Sequence, residues 1–394
     1  MSNDNDIVIV AALRSAVGNF NGAAAQLSAV QLSTPVAAQM LASTGVVAKD
    51  IDEVIMGQVL SAATGQNSAR QLALGIGMPH ESTAWVVNQV CGSGLWSVAL
   101  GAQSITAGVN NIVISGGHES MSCCPHAVHL RNGVKMGATE LRDLMIDDGL
   151  TDVFSKLHMG LTAEAVAEKY GVSRQDQDEL AVKSQNNASN AQKSGKFKDE
   201  IVPITISNRK GDVTFIDDEF IRHNATVDVL SALKPAFKKD GTVTAGNASG
   251  INDGAAVIML MKRKEAEKRG LAPLATIRSF ASSGVDPMMM GIGPVSATNK
   301  ALSIAGWQIK DLELVEANEA FAAQAVAVNR LLGFNTDIVN VNGGAIAIGH
   351  PIGASGARIL VTLLHEMKRR NVKRGLATLC VGGGMGVAMC VERV

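Results

Sequence analysis

Aromatic side chains are scarce in this sequence of 394 residues, which contains three Trp, one Tyr and nine Phe. This scarcity argues against a binding face rich in aromatic rings. An excess of charge of one sign is also absent, because 35 basic and 36 acidic residues give a formal net charge of −1. The chain therefore has no overall attraction to nucleic acid or to an anionic membrane. Glycine is abundant, and its 40 residues favour close backbone packing and tight turns.

Long apolar runs are absent as well. No stretch reaches the roughly 20 consecutive apolar residues that cross a bilayer. The first residues, MSNDNDIVIVAALRS, lack the basic start of a secretory signal, and the final CVERV carries neither a peroxisomal tripeptide nor a prenylation box. Five cysteines, an odd number, are typical of reduced thiols rather than of a disulfide framework. We therefore expect a soluble cytoplasmic protein that binds neither membrane nor nucleic acid.

Strand and helix patterns alternate along the chain. Short β-branched runs separated by Ala-rich helical patterns occur early, at IVIVAAL, DEVIMGQVL, AWVVNQV and NIVISGG. The same order returns near the end, at LATIRSFASSG, LELVEANEAFA, IVNVNGGAI and GLATLCVGGGMGVAM. Such alternation predicts buried strands joined by crossover helices. The repeated order predicts two related α/β halves, in which AWVVNQV and IVNVNGGAI are corresponding strands.

The segment between the two repeats has a different composition, richer in charge, His and Asn, and is too long for a simple loop. A helical pattern begins near Thr162, a possible N-cap, and extends to Gly195. We therefore expect a first half of residues 1–120 and 251–270, an inserted domain of residues 121–250 that covers the substrate site, and a second half of residues 271–394.

Cys91 lies between a predicted strand and a predicted helix, in the segment VNQVCGSGL. The strand ends at Val87, Gly92 and Gly94 permit a sharp turn, and a helix is predicted from Leu95 to Ile105. A helix N-terminus stabilises a thiolate and lowers the pKa of the thiol. Exposed backbone N–H groups at such a turn can hold a carbonyl oxygen. Cys91 is thus a candidate nucleophile, and the alternative is a buried structural cysteine.

Two further residues combine reactive side chains with glycine-rich turns. Cys380 lies at the end of the strand pattern LATLCVGGGMG in the second repeat, just before three glycines. It is either a core residue or a second functional thiol. His350 precedes Pro351, which disfavours helical backbone for the residue before it. A helix is therefore expected to begin near Gly353, and the bend directs His350 away from a helix face. The alternative for His350 is a core histidine with satisfied hydrogen bonds.

Asn318 and Glu319 lie at another strand-to-helix turn, in EANEAFAAQ. Asn318 either caps the helix or holds a water molecule or a carbonyl oxygen. Together with Cys91, Cys380 and His350, these polar groups lie where buried strands end, which is the usual location of an α/β active site.

One group of possible metal ligands lies in SCCPHAVHL, at Cys123, Cys124, His126 and His129. Adjacent cysteines rarely chelate one zinc, and the sequence contains no second CxxC pair. No metal site is expected here.

A second apparent motif is the P-loop spacing of Gly344 and Gly349. A P-loop requires Lys and then Ser or Thr after the second glycine, where this chain has His350 and Pro351. An ATP-binding module is therefore not expected.

Seven segments in register resemble one protein family: NQVCGSGL, GHES, HMG, GTVTAGNASGINDGAA, EANEAFAAQ, NVNGGAIAIGHPIGASGARIL and LCVGGGMG. Together they are similar to the thiolases, most of all to the short-chain, biosynthetic type, from AALRSAVGNFNG to the end of the chain. The resemblance implies a five-layered αβαβα fold of two pseudo-symmetric halves with an inserted loop domain. It also implies an acyltransferase that condenses two acetyl-CoA to acetoacetyl-CoA and CoA, and that catalyses the reverse thiolysis without a cofactor.

The resemblance also implies a role for each candidate residue. Cys91 is the nucleophile that carries the acetyl group. His350 is the base that activates Cys91 and then binds the thioester oxygen of the second substrate. Cys380 is the acid/base that removes a proton from the methyl carbon of that substrate. Asn318 holds a water that forms one oxyanion hole with His350, and the N–H groups of Cys91 and Gly382 form the other.

The family's CoA contacts correspond to Leu150, His158, Met159, Arg222, Phe237, Ala245, Ser249, Ile251, Ala320 and Phe321. Arg222 is expected near the nucleotide end and Ser249 near the pantetheine. Met159, in HMG, and Met290 are expected to narrow the acyl pocket, so that acetyl and acetoacetyl groups enter and long chains do not. Members of the family are commonly homotetramers formed through the inserted loop.

Some residues depart from the common family pattern, namely Trp96, Met385 and the CCPH segment, but none of them replaces a catalytic group. One alternative is a decarboxylating condensing enzyme of the ketoacyl-synthase type, which has His or Asn where this chain has Cys380. The other is a non-catalytic acyl- or lipid-binding relative, which would be expected to lack Cys91 or His350.

Overall fold

The structure, a computed structural model, describes residues 3–207 and 211–393. Its strands are β1 (Ile7–Arg14), β2 (Gly18–Asn19), β3 (Glu53–Gly57), β4 (Thr83–Val87), β5 (Ile112–Ser120), β6 (His126–Ala127), β7 (Arg142–Asp143), β8 (Ile204–Ile206), β9 (Val213–Phe215), β10 (Asn252–Lys262), β11 (Ala275–Gly284), β12 (Leu314–Ala317), β13 (Arg374–Val381) and β14 (Met385–Glu392). Its α-helices are α1 (Ala29–Thr44), α2 (Ser68–Gly75), α3 (Ser93–Thr106), α4 (Met159–Tyr170), α5 (Arg174–Lys193), α6 (Val227–Ser231), α7 (Arg263–Lys268), α8 (Gly293–Ala305), α9 (Ala322–Leu332), α10 (Ala345–Ile348) and α11 (Ile352–Arg370). Within these ranges, no helix combines the length and apolarity needed to cross a bilayer.

The long strands form one hydrogen-bonded path in the order β12-β13-β14-β11-β1-β10-β5-β3-β4. The path is weakest between β11 and β1, which are joined by only two residue pairs. Helices α3 and α11 pack against each other and contact strands on both sides of this junction. Helices α1 and α2 cover β1, β3, β4 and β10, whereas α8 covers β11 and β14. The layers therefore run helix, sheet, helix, sheet, helix, as predicted.

The two halves repeat one topology. In each half, a parallel pair (β3 with β5, β12 with β13) continues through two antiparallel neighbours (β10 and β1, β14 and β11). Helix α3 of the first half corresponds to α11 of the second. The repeat inferred from the sequence is therefore confirmed, and it places the segments before α3 and before α11 in equivalent positions.

One predicted strand is wrong. The IVNVNGGAI segment, the expected counterpart of β4, follows a 3₁₀ turn at Thr336–Ile338 and forms only a single bridge, between Val339 and Val315. The reason is Asn340, whose backbone has φ 47° and turns the chain away from β12. Its side chain bonds instead to the backbone of Ala317, accepting from the N–H at 2.9 Å and donating to the carbonyl at 2.8 Å. A side-chain amide thus takes the place of the backbone hydrogen bonds that a β-strand would have made here.

Close contact between α3 and α11 explains the glycines in both helices. A Cβ added at Gly94 would lie 2.9 Å from backbone atoms of α11, and one added at Gly356 would lie 2.5 Å from the backbone N of Leu95. Larger side chains would push the helices apart. Because Cys91 and His350 lie just before these two helices, the contact also places both residues at the same end of the central layer.

The chain leaves the sheet after β5 and returns at β10. The helical pattern predicted in this segment forms two helices, because Gly171 ends α4 and Ser173 caps α5. The N-cap predicted at Thr162 is wrong. Helix α4 begins at Met159, and His158 is its N-cap, with Nδ1 accepting a backbone N–H at 3.0 Å. The domain boundaries remain predictions, and their limits at residues 1 and 394 lie outside the described residues.

Arg14 anchors the inserted segment to the first half. Its guanidinium is fully buried, donates to both oxygens of Asp218 at 2.8 and 2.9 Å and reaches Glu200 at 2.7 Å. Burial alone would lower the pKa of Arg14, but the two carboxylates raise it above its usual value. Thr362 of α11 also donates to Glu200 at 3.0 Å, so the same cluster ties the insertion to the central layer.

Candidate active site

A cavity of about 400 Å³ lies where the two halves meet the inserted segment. The predicted residues that line it are Cys91, Leu150, His158, Met159, Arg222, Phe237, Ala245, Ser249, Ile251, Met290, Ala320, Phe321, His350, Cys380 and Gly382. Asn318 does not line the cavity, but its amide lies behind the ring of His350. Sequence reasoning missed several apolar and glycine positions of the wall, namely Val90, Met121, Gly149, Phe220, Ala236, Ala248, Gly250 and Ile352. Most of these are neighbours of predicted residues along the chain.

Cys91 lies on the predicted sharp turn between β4 and α3. Val90 has φ 46°, a left-handed conformation that a β-branched residue rarely adopts. The hydroxyl of Ser93 stabilises the turn by accepting from the N–H of Gln89 at 2.8 Å and donating to the carbonyl of Val90 at 2.6 Å. Helix α3 begins at Ser93, two residues earlier than predicted. Backbone strain of this kind is common where a reactive side chain is held in one position.

The expected low pKa of Cys91 is wrong. Burial raises the pKa of the thiol to about 11, which outweighs the lowering by the N–H groups of Gly382 and of Cys91 itself. The charge of nearby Glu119 raises the pKa further. The thiol is therefore protonated at neutral pH and needs a base before it can attack. The two N–H groups that approach the sulfur are also suited to hold an oxyanion formed there.

His350 lies between α10 and α11, as the following proline predicted. Its backbone N–H donates to Oδ1 of Asn252 at 2.9 Å. Its ring Nδ1 is 2.6 Å from Oγ of Ser355 and 3.4 Å from Nδ2 of Asn318. Burial, aided by the positive charge of Arg358, lowers the pKa of His350 to about 4. The ring is therefore neutral at pH 7 and able to accept a proton.

Cys380 lies at the end of β13 and is fully buried. Burial raises the pKa of its thiol above the ordinary value, and Cys91 raises it further because the two thiols are close. Met159, Met290 and Phe321 belong to the same apolar cluster as Cys380. The second thiol is therefore surrounded by hydrophobic side chains on the cavity wall.

Asn318 does not cap helix α9, whose N-cap is Phe321. Its backbone N–H donates to the carbonyl of Thr378 at 3.0 Å, which prolongs the pairing of β12 with β13. The side chain is thereby held beside His350 rather than at the helix end. The alternative role of Asn318 as a helix cap is excluded.

Glu119, from the GHES segment, holds two loops of the site together. The carboxylate is fully buried and accepts backbone N–H groups from Val59 at 3.0 Å, Leu60 at 3.1 Å and Gly353 at 2.9 Å. Burial raises the pKa of Glu119 to about 7 against the effect of these donors. Sequence reasoning gave Glu119 no role, because its partners are distant in the chain.

Three aromatic rings of the cavity lining contact one another. The rings of His158 and Phe237 stack with centroids 4.8 Å apart, and Phe237 meets Phe321 edge-on at 6.2 Å. Burial lowers the pKa of His158, so this ring is also neutral at pH 7. Arg222 also lines the cavity, and its guanidinium donates to the carbonyl of Ala245 at 3.2 Å. The cavity lining thus combines two thiols and many apolar side chains with an arginine.

The residues that depart from the family pattern have structural contacts. Trp96 packs edge-on against Phe280 with ring centroids 6.0 Å apart. Met385 begins β14, with its sulfur 4.0 Å from the amide of Gln89. Cys123 is exposed, and its thiol lies 3.3 Å from a backbone carbonyl. In the described ranges, no three His, Cys, Asp or Glu side chains converge as metal ligands.

Comparison with known proteins assigns the family. A sequence profile described as "Thiolase, N-terminal domain" matches residues 7–264, and one described as "Thiolase, C-terminal domain" matches residues 271–393. The chain belongs to the thiolase family.

Individual relatives match over the full length. An acetyl-CoA acetyltransferase from Rhizobium meliloti is 60% identical over 394 residues, which is all of both chains. The corresponding protein of Cupriavidus necator is 58% identical over 98% of this chain and 99% of its own. The crystal structure of the Bacillus anthracis acetyl-CoA acetyltransferase matches with a TM-score of 0.97, 44% identity and 99% coverage of each chain. Human mitochondrial 3-ketoacyl-CoA thiolase matches with a TM-score of 0.96, 41% identity and full coverage of both chains. The predicted fold is confirmed.

Proposed function

We propose that this protein is an acetyl-CoA C-acetyltransferase. It joins two acetyl-CoA to form acetoacetyl-CoA and CoA, and it cleaves acetoacetyl-CoA in the reverse direction. The observation that carries the proposal is the presence of two thiols and a neutral imidazole on one cavity wall, at Cys91, Cys380 and His350. The relatives with 58% and 60% identity are acetyl-CoA acetyltransferases, which supports the same assignment.

The first half of the reaction transfers the acetyl group to Cys91. His350 takes the proton of the thiol while the sulfur attacks the thioester carbonyl. The pKa of Cys91 is about 11 and that of His350 about 4, so a free thiolate would be rare. Proton transfer is therefore coupled to the attack, as negative charge moves to the oxygen held by the N–H groups of Cys91 and Gly382. The bond from carbon to the CoA sulfur breaks, and Cys380 gives its proton to the departing CoA.

The second half forms the carbon–carbon bond. The Cys380 thiolate removes a proton from the methyl carbon of a second acetyl-CoA. His350, now protonated, and a water held by Asn318 stabilise the enolate oxygen. The enolate carbon attacks the acetyl carbonyl, the bond to Cys91 breaks, and His350 returns its proton to that sulfur. Both thiols and the neutral imidazole are restored, so no bound cofactor is required.

The inserted segment has a second proposed role in assembly. Large apolar side chains are exposed on the loop between β6 and β7, namely Leu130, Val134, Met136 and Leu141. We propose that this loop joins four copies of the chain into a homotetramer, and that residues 121–250 form a domain that serves both assembly and CoA binding. We also propose that the protein is located in the cytoplasm.

The direct test of the function is CoA-dependent cleavage of acetoacetyl-CoA, followed by the loss of its enolate absorbance. We expect the absorbance to fall only when protein, CoA and acetoacetyl-CoA are all present. Acetyl-CoA is expected as the product, in two equivalents per acetoacetyl-CoA consumed. Purified, folded protein that leaves acetoacetyl-CoA intact would contradict the proposal. Release of CO₂ from malonyl-CoA would favour the decarboxylating alternative.

The acyl chain is expected to be short, because methionines lie beside the thiols. A Cβ placed at Gly382 would be only 3.7 Å from the sulfur of Met159, so this side chain lies beside Gly382, whose N–H approaches the sulfur of Cys91. Met290 is buried in the same cluster. We expect kcat/KM for acetoacetyl-CoA to exceed that for a 16-carbon 3-ketoacyl-CoA by more than about 100-fold, since each misfit methylene costs about 10-fold or more.

Thiolysis rates with 3-ketoacyl-CoA substrates of increasing length measure this selectivity. The Met159→Ala variant is expected to gain activity toward six-carbon chains relative to acetoacetyl-CoA. Equal kcat/KM values for the shortest and longest chains in the unmodified protein would contradict the proposed role of the methionines.

A further inference from the structure

The ring of His350 is held at one nitrogen only. In the described part of the chain, both hydrogen-bonding contacts of the ring are made at Nδ1, with Ser355 at 2.6 Å and Asn318 at 3.4 Å. Ser355 is fully buried, and Asn318 is 1% exposed. The Nε2 edge is therefore the part of the ring left for the reactants in the cavity. Which protonation state the ring adopts follows from what these two neighbours can donate or accept.

Ser355 acts as an acceptor toward the ring. Its hydroxyl donates to the carbonyl of Pro351 at 2.8 Å, the usual bond of a helical serine to the residue four positions earlier. A hydroxyl has one proton to donate and two lone pairs to accept with. With the proton directed at Pro351, Oγ accepts from Nδ1 of His350, and that nitrogen carries hydrogen.

Asn318 is compatible with the same state of the ring once its amide is turned over. Its Oδ1 is buried and has no hydrogen-bond partner within the described residues, while its Nδ2 faces Nδ1. Turning the amide over about its terminal bond exchanges the oxygen and the nitrogen, because the two ends have nearly the same shape. The oxygen then accepts from the Nδ1 hydrogen of His350, and the NH2 group takes the former position of the oxygen, from which it can donate to the water of the proposed oxyanion hole. With the amide in this orientation, both neighbours accept from Nδ1 or leave its hydrogen in place.

We propose that Ser355, together with the amide of Asn318, is a positioning residue that holds neutral His350 with hydrogen on Nδ1 and the lone pair on Nε2. The catalytic use of this tautomer rests on the proposed function. In the first half-reaction, Nε2 accepts the proton of Cys91. In the second, the same nitrogen carries that proton and donates it as a hydrogen bond to the thioester oxygen. His350 thus serves as base and oxyanion donor in turn, while Nδ1 keeps its hydrogen throughout.

The proposal is tested first by ¹⁵N NMR of the intact protein labelled at histidine. The chain has eight histidines, and the His350→Gln variant identifies which signal belongs to His350. At pH 7.5, about one unit above the ordinary histidine pKa, we expect the Nδ1 of His350 to have the shift of a protonated nitrogen and Nε2 that of a bare one. The reverse pattern would overturn the proposal, whether or not the protein turns over acetoacetyl-CoA.

A serine variant tests the positioning role. We expect Ser355→Ala to give mixed tautomer signals at His350 and to lower kcat of thiolysis about fivefold to tenfold with little change in KM, which is the scale of one lost hydrogen bond. Ser355→Thr, which keeps a hydroxyl, is expected to retain the tautomer of the unmodified protein.

Ser279→Ala is the matched control for the serine variant. Ser279 is also buried, donates to the carbonyl of Ala301 at 2.6 Å, contacts the thiol of Cys390 and lies on β11, outside the cavity wall. It is expected to leave both the tautomer and kcat unchanged. Unchanged tautomer signals in Ser355→Ala, with or without a loss of rate, would overturn the proposal. Absence of thiolysis in the unmodified protein would instead contradict the proposed function and leave the tautomer measurement valid.

Discussion

The Cys91→Ala variant is expected to lose thiolysis and condensation by about 10⁴-fold or more, the scale observed when a covalent nucleophile is removed. The reason is that no other group in the cavity can carry the acetyl group at the same place. Cys380 is buried, and its pKa is raised above its ordinary value. The N–H groups of Cys91 and Gly382 approach the sulfur of Cys91. Initial rates with acetoacetyl-CoA and CoA measure the loss.

Mass spectrometry identifies the residue that carries the acetyl group. After brief exposure to acetyl-CoA, the unmodified protein is expected to gain one acetyl group, on the peptide that contains Cys91. Cys124→Ala is a matched control, because Cys124 is half-buried in the same apolar cluster as Cys91. That variant should retain both the label and the rate. An acetyl group found on Cys380 instead would reverse the proposed roles of the two thiols.

The Cys380→Ala variant is expected to slow turnover by about 10³-fold, within the range for loss of a general acid or base. Its defect should differ from that of Cys91→Ala, because the nucleophile and its oxyanion donors remain. Acetyl-Cys91 is therefore expected to form, with the departing CoA thiolate taking its proton from water instead of Cys380, and to accumulate, whereas exchange of the methyl hydrogens of acetyl-CoA with deuterium from the solvent should be lost. Mass spectrometry follows the acetyl group, and proton NMR follows the exchange.

Cys390→Ala is the matched control for this second variant. Cys390 is fully buried on β14, the strand next to that of Cys380, and it does not line the cavity. Cys390→Ala also removes a buried thiol, but it should leave methyl exchange and turnover intact. If Cys380→Ala kept methyl exchange, or failed to form acetyl-Cys91 at all, the division of the reaction between the two thiols would be wrong.

Much of the site could be predicted from local sequence. The turn at Cys91 follows from glycines between a β-branched run and a helical pattern, and the bend at His350 follows from Pro351. Both depend on the conformations that a residue and its immediate neighbours allow. The strand predicted at IVNVNGGAI was wrong because a single side chain, that of Asn340, takes the hydrogen bonds a strand would have made. The pattern of apolar residues alone does not show that a side chain will take the place of backbone hydrogen bonds.

Glu119 and Ser355 illustrate what was beyond sequence reasoning. Glu119 contacts the N–H of Gly353, which is 234 positions away. Ser355 is only five positions from His350, but whether their side chains meet depends on how α11 begins and on what surrounds it. Neither residue lies in a pattern that assigns it a partner.

The sequence by itself determined which reactive groups the protein has and that Cys91 and His350 each lie at a bend just before a helix, because these are properties of short segments. Tertiary structure decided how the groups behave. It raises the pKa of Cys91 to about 11 where the helix N-terminus alone predicted a lowered value, and it lowers that of His350 to about 4. The physical reason is that the cost of removing a charged group from water depends on all the atoms packed around it. Those atoms come from both halves and from the inserted segment, which only the folded chain brings together.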